Sequence, residues 1–153
     1  MASFKYPRMQ LLTTLYLLFF HPSSSAAVYN ILNYGAVGDG RTETANPFLN
    51  AWNAACSEPD EAMIYLPKGR YLLRPVEFDG RDCKSSAITI YMHGSLQAPE
   101  DYRVLGNATN WLSFYAVDGV RFVGGALDAK GPYLWDCKAE EGKACPNGAA
   151  VSN

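Results

Sequence analysis

The sequence predicts an all-β chain wound as a right-handed parallel β-helix, with one amphipathic helix lying as a lid over its core. Short alternating apolar runs are separated by Gly, Pro and Asp, which is how strands and their turns read. Ile64, Ile88 and Leu112 recur at intervals of 24 residues, as do Leu66, Ile90 and Phe114, and again Leu72, Leu96 and Val120. A fixed interval of this size signals repeating units whose apolar residues stack on one another. An antiparallel all-β domain is the competing arrangement on this reading.

The N-terminus sets the compartment. Lys5 and Arg8 precede an uncharged run, Leu11 to Phe20, followed by Pro22, a serine cluster and the small residues Ala26 and Ala27. This order is that of a secretory signal peptide, residues 1–26, with cleavage expected after Ala26. The apolar run falls short of the about 20 residues a bilayer span needs, so no membrane association is expected after cleavage. The whole chain has 13 Lys plus Arg, 15 Asp plus Glu and a net charge of −2. Losing Lys5 and Arg8 leaves residues 27–153 at −4, without the basic footprint of a nucleic-acid binder.

The helix follows. Ala45, Phe48, Leu49, Trp52, Ala55 and Cys56 fall on one face at helical spacing. Asn46 with Pro47 forms one candidate start, Thr44 another, and Glu58-Pro59 the stop. Strands are then expected around Met63–Leu66, Ile88–Tyr91 and Leu112–Tyr115. After Gly124-Gly125 the rhythm is expected to break into a polar insertion, Lys130 to Gly148. Ala149 and Val151 start a new alternation before Asn153, which reads as a C-terminally truncated, incomplete β-helix domain over 27–153.

Cys56, Cys83, Cys137 and Cys145 make an even set in a secreted chain, and four cysteines allow three disulfide pairings. The preferred pairing is local: Cys56 with Cys83, and Cys137 with Cys145. Zinc fits poorly, because there is no C-x2-C and His93 alone remains after cleavage. Asn107-Ala108-Thr109 is a glycosylation sequon, expected to be exposed at Asn107.

Catalytic residues are not found. Asp39, Asp79, Asp118 and Asp128 sit at turns, where Asp bonds nearby backbone N–H groups. Asp82 and Asp136 read as loop residues, and no Asp-Asp pair occurs. His93, placed at a strand end, has no nucleophile motif beside it. Gly35, Gly38 and Gly40 do not have the dinucleotide spacing, so no cofactor is expected. Trp111 and Trp135 are assigned structural roles, although aromatics could also stack on sugars.

Taken together, several runs resemble the plant-type polygalacturonase family of pectin-degrading glycoside hydrolases. They are Tyr29 to Gly40, Phe48 to Cys56, Tyr65 to Leu73, Cys83 to Ser85, Gly94 to Pro99, Val117 to Val120, Gly124 to Gly131 and Leu134 to Lys138. The resemblance covers 29–153 in order. It implies a right-handed parallel β-helix with an N-terminal capping helix, and hydrolysis of α-1,4 bonds in de-esterified pectin outside the cell, in the plant wall. It also implies inversion by an acid and a base carboxylate that admit a water molecule between them. The family's Asn-Thr-Asp, Asp-Asp, Gly-His-Gly and Arg-Ile-Lys elements have no counterpart here, so no catalytic residue is carried over. The chain departs from the family at Thr42-Glu43-Thr44, where acidic residues are usual, and at His93, where Asp is common.

The leading expectation is the N-terminal part of a secreted polygalacturonase, inactive as this chain alone, whose partner is pectin or polygalacturonate. The alternatives are a non-catalytic secreted β-helix module that binds pectin or a wall partner, and a lyase on the same fold. The oligomeric state is open.

Overall fold

The structure, a computed structural model, describes residues 26–106, 108–140 and 144–146. Eight strands lie in it: β1 Ala27–Asn30, β2 Asp39–Glu43, β3 Ala62–Leu66, β4 Arg70–Leu72, β5 Val76–Asp79, β6 Ile88–Gln97, β7 Leu112–Tyr115 and β8 Val120–Asp128. Two helices accompany them, α1 Ala45–Cys56 and α2 Gly131–Ala139, with short 3-10 turns at Ile31–Tyr34 and Tyr102–Leu105.

Every ladder is parallel. β1 pairs with β3, β3 with the first half of β6, and that half with β8. Around a corner, β2 pairs with β4, β4 with the second half of β6, and that half with the end of β8. β5 pairs with β7 in a separate two-stranded sheet. Consecutive strands β3, β4 and β5 thus lie beside β6, β6 again and β7, in the same order. The antiparallel alternative is excluded, and the curled parallel sheet is that of the expected fold class.

Parallel registry stacks like on like. Inward columns run Ala62, Ile88, Val120; Ile64, Ile90, Phe122; and Tyr71, Leu96, Leu127. Burying one such aliphatic or aromatic side chain stabilises by about 1.5–3 kcal/mol. The buried core also takes in Phe48, Trp52, Leu66, Leu73 and Phe78.

The expected stacking interval is wrong. Ile64 lies beside Ile90, 26 residues on; Ile88 beside Val120, 32 on; and Phe78 beside Phe114, 36 on. Leu112 and Phe114 therefore sit on Val76 and Phe78, not on Ile88 and Ile90. The connections differ in length, since one carries Cys83 and another the Tyr102–Leu105 turn. Side chains in a strand alternate faces every second residue, so any even offset keeps inward residues inward and imitates a true repeat.

The corner is built of glycine. Gly38, Gly69, Gly94 and Gly125 each precede a residue in the aligned set Asp39, Arg70, Ser95 and Ala126. A Cβ on Gly94 would lie 2.5 Å from the Gly69 carbonyl oxygen, and one on Gly125 would lie 2.5 Å from that of Gly94. β8 accordingly runs through Gly124-Gly125 with both residues at positive φ. The expected break after these glycines does not occur. The insertion starting at Lys130 is also not without structure, because α2 occupies Gly131–Ala139.

α1 buries Phe48, Ala51, Trp52, Ala55 and Cys56 against β1, β3 and β5. Its start differs from the Asn46-Pro47 reading. Thr44 is the boundary residue, but its hydroxyl donates to the Thr42 carbonyl and does not cap. Glu43 supplies the cap: one carboxylate oxygen accepts from the N–H groups of Thr44 (3.1 Å), Ala45 (3.0 Å) and Arg74 (3.2 Å). Pro47 is the third helical residue, where a helix leaves its N–H groups without intrahelical partners, so the missing donor costs nothing. Disulfides join Cys56 to Cys83 and Cys137 to Cys145, with Cα separations of 4.3 and 6.1 Å. Asn107 and residues 1–25 of the expected signal peptide, 1–26, lie outside the described residues.

Candidate functional site

Asp39, Asp79 and Asp128 are turn residues, as expected, whereas Asp136, expected in a loop, lies within α2, which continues through it to Ala139. Asp39 accepts from the backbone N–H groups of Arg41 and Thr42 and from the Thr42 hydroxyl, each at 2.8 Å. Those three donors stabilise the anion and hold its pKa down at about 2. Asp79, Asp101 and Asp128 repeat one device. Each carboxylate forms a hydrogen-bonded ion pair with the basic residue two positions on, Arg81, Arg103 or Lys130, and each also accepts that residue's backbone N–H. All three are lowered in consequence, chiefly by the side-chain hydrogen bond. A glycosidase acid needs the opposite displacement, upward, so that it carries a proton to the leaving oxygen. These four carboxylates are committed to their own turns.

His93 is not at a strand end: it lies within β6 on the exposed outer face. Its Nδ1 is 3.0 Å from the Tyr65 hydroxyl, and its ring meets those of Tyr65 and Tyr91 edge-on. Trp111 has the structural role expected, its indole N–H donating to the Leu73 carbonyl at 2.7 Å. Trp135 does not. Its ring is 47% exposed and has the Lys138 ammonium 5.4 Å from its centroid.

Two adjoining hollows lie on the side formed by β2, β4 and the ends of β6 and β8. One, of about 470 Å³, is polar and includes Arg41, Arg70, Gln97 and Lys130, with Asp39 and Glu100. The other, of about 230 Å³, is apolar and includes Tyr102, Leu105, Trp111, Leu134 and Trp135. Ala98, Pro99 and Lys130 line both. The sequence reading found no basic cluster, because Arg41, Arg70 and Lys130 are far apart along the chain. The stacking of β2 on β4, and of β4 on β6 and β8, brings them together. The signal available in sequence was the glycine preceding each aligned strand segment. Such a groove can hold a ligand with anionic groups and apolar ring faces. Among the described residues no group of three His, Cys, Asp or Glu is placed to hold a metal ion.

The comparisons with known proteins match this architecture. A family model described as rhamnogalacturonase A/epimerase, pectate lyase-like, matches residues 28–110, from β1 through β6 and beyond. The chain belongs to the pectate lyase-like family. Within it, the chain is similar to plant polygalacturonases. It is 47% identical over 128 residues to a polygalacturonase of Prunus persica, covering 84% of this chain and 32% of the relative. It is 36% identical over 107 residues to a polygalacturonase of Gossypium hirsutum, covering 69% and 26%. To an exopolygalacturonase of Platanus acerifolia it is 35% identical over 113 residues, covering 73% and 29%. The chain thus spans about a third or less of the length of these relatives. No helix among the described residues of this pectate lyase-like chain is long and apolar enough to cross a membrane.

Proposed function

We propose that this chain supplies the N-terminal β-helical coils, closed at one end by α1, of a secreted polygalacturonase that hydrolyses α-1,4-galacturonosyl bonds of pectin in the cell wall. The observation that carries the reading is the 47% identity to the Prunus persica polygalacturonase over 128 residues. The glycine corner supports it, since a substituted column would not let successive turns approach so closely. In this reading residues 1–26 direct secretion and are removed, and 27–153 fold as part of one β-helix domain. The hydrolytic acid and base, an inverting pair with water between them, are not among the aspartates described above. The chain alone is inactive.

The decisive experiment replaces the matched segment of the Prunus persica polygalacturonase with this chain and assays reducing-end release from polygalacturonate. A secreted chimera that cleaves the polymer supports the reading; a folded, secreted chimera without turnover refutes it. The chain by itself, in the same assay, is expected to match the blank.

A second reading is a secreted module that binds pectin without cleaving it. Its supporting observation is that Asp39, Asp79, Asp101 and Asp128 are each locked into a turn while a groove stands open whose Arg41 and Arg70 have no ion-pair partner among the described residues. In that case the chain binds polygalacturonate and the chimera remains inert.

A further inference from the structure

The outer face of the sheet carries a cluster that neither the core nor the groove uses. Parallel registry lines up Asn30, Tyr65, Tyr91 and Val123 on β1, β3, β6 and β8. The column holds two phenols side by side, with no third one flanking either. Their rings are stacked, 26° from parallel, with centroids 6.3 Å apart. Both side chains are half-buried, so each keeps part of its ring open to solvent. His93, exposed and on the same face two residues beyond Tyr91, meets both rings edge-on. Its Nδ1 is 3.0 Å from the Tyr65 hydroxyl.

We propose that Tyr65 and Tyr91 form an oxidative cross-linking site, where a one-electron oxidant joins the two rings by a carbon–carbon bond and ties successive coils together. The oxidant is hydrogen peroxide acting through a haem peroxidase. Each phenol gives up one electron and its hydroxyl proton, and the two electrons and two protons reduce one peroxide to two waters. The paired phenoxyl radicals then bond through carbons ortho to their oxygens. The hydrogen on each of those carbons passes to the oxygen of its own ring, which restores both aromatic rings and both hydroxyls. The product is the two side chains less two hydrogen atoms.

The site favours that step in several ways. Radicals held side by side couple without having to diffuse together, an advantage that a bimolecular coupling lacks. With its own proton on Nε2, His93 accepts the Tyr65 hydroxyl proton at Nδ1 as the electron leaves, and its exposed ring releases that proton to water. All four cysteines are in disulfides, so no thiol competes for the oxidant. Tyr115 and Tyr133 are more exposed, but among the described residues neither stacks on another tyrosine. Tyr91 lies 26 residues after Tyr65, so the new bond restrains the unfolded chain much as the Cys56–Cys83 bridge does over its separation of 27. The inference goes beyond the pectic reading and does not depend on it.

The test treats the full chain, folded and dilute, with hydrogen peroxide and a haem peroxidase, and follows dityrosine fluorescence and the peptide map. The expected product is a single chain lacking two hydrogen atoms, with one linked pair of peptides that carries Tyr65 and Tyr91. Peroxide without the peroxidase should give none of it. Y65F and Y91F keep the ring packing and each remove one phenol, and each should lower the product at least about tenfold. Y115F and Y133F should leave it unchanged. H93F keeps an aromatic ring without a proton acceptor and should slow the linkage severalfold. The linked chain should unfold at higher urea than Y91F treated alike. Absence of dityrosine, a link through other tyrosines or only between chains, full yield in Y65F or Y91F, an unaltered rate in H93F, or an unshifted urea midpoint would overturn the site.

Discussion

Gly94 sits directly over Gly69: a Cβ on Gly94 would fall 2.5 Å from the Gly69 carbonyl oxygen and 2.6 Å from that of Pro67. Both obstacles are backbone, which cannot swing aside as a side chain can. Gly94→Ala must therefore open the corner between β4 and β6, and is expected to destabilise by about 1–3 kcal/mol, the usual range for overpacking. Gly131→Ala is the control, because its Cβ would meet the Trp135 side chain at 3.2 Å and that ring can move. Urea unfolding of the two variants should separate them clearly; similar midpoints would mean that the corner yields.

Trp52 ties α1 to the rest of the core. It is fully buried, donates its indole N–H to the Asp79 carbonyl at 2.8 Å, and packs against Phe78 and Phe114 at centroid distances of 5.2 and 5.5 Å. Trp52→Phe leaves that carbonyl without its donor and a void where the larger ring stood. Together these should cost about 2–4 kcal/mol. A loss below about 1 kcal/mol, on the same scale, would show that the helix docks by other contacts.

Much of the fold could be read in the sequence, for a physical reason that also explains the errors. Ile64 and Leu66, Ile88 and Ile90, and Leu112 and Phe114 are pairs two residues apart, so each pair shares the inward face of its strand, as the alternation in the sequence predicts. What a single sequence does not carry is which strand lies beside which. Connections of unequal length move the partner of Phe114 from Ile90 to Phe78 without changing its facing. Trp135 looked like an anchor because buried Trp is common, yet α2 turns it outward. The groove was hidden for the same reason as the register, since Arg41 and Arg70 become neighbours only once β2 is laid on β4.

Glu43 caps α1 through a single oxygen, while its other oxygen, Oε2, is buried and lacks a hydrogen-bond partner in the described structure. Removing the side chain releases three backbone N–H groups, so Glu43→Ala should cost about 1–2 kcal/mol, comparable with loss of a strong N-cap. Glu43→Gln keeps the accepting oxygen and should cost distinctly less. Equal losses for the two variants, measured by thermal unfolding, would show that charge and not the accepting oxygen holds the helix end.

Asp39 makes stability depend on acid. Its folded pKa is about 2, against an ordinary value of 3.8, so the folded state holds the proton less tightly than the unfolded chain. The stabilisation is fully present above the ordinary value and is lost as pH falls from there through about 2. Asp79, Asp101 and Asp128 are lowered too and share the same acid limb. Asp39→Asn should therefore make the fall in melting temperature between pH 4 and pH 2 shallower without abolishing it. Superimposable slopes for the wild type and this variant would contradict the assignment.

The two disulfides should differ in what their removal costs. Cys56–Cys83 closes a sequence separation of 27 residues, and Cys137–Cys145 one of 8. Constraining the unfolded chain over the longer loop is worth about 3–4 kcal/mol in the chain-entropy account, against about 2.5 for the shorter. Local structure adds to the contrast. Cys56 ends the buried face of α1, and its carbonyl accepts the Lys84 N–H at 2.7 Å beside the bridge, so the longer link fixes the helix to the turn before β6. Replacing Cys56 and Cys83 together with Ala should lower the urea midpoint more than replacing Cys137 and Cys145. An equal or reversed order would mean that the bridge at α2 constrains the chain more than its loop length allows, and that the link at Cys56 only duplicates contacts the helix already makes.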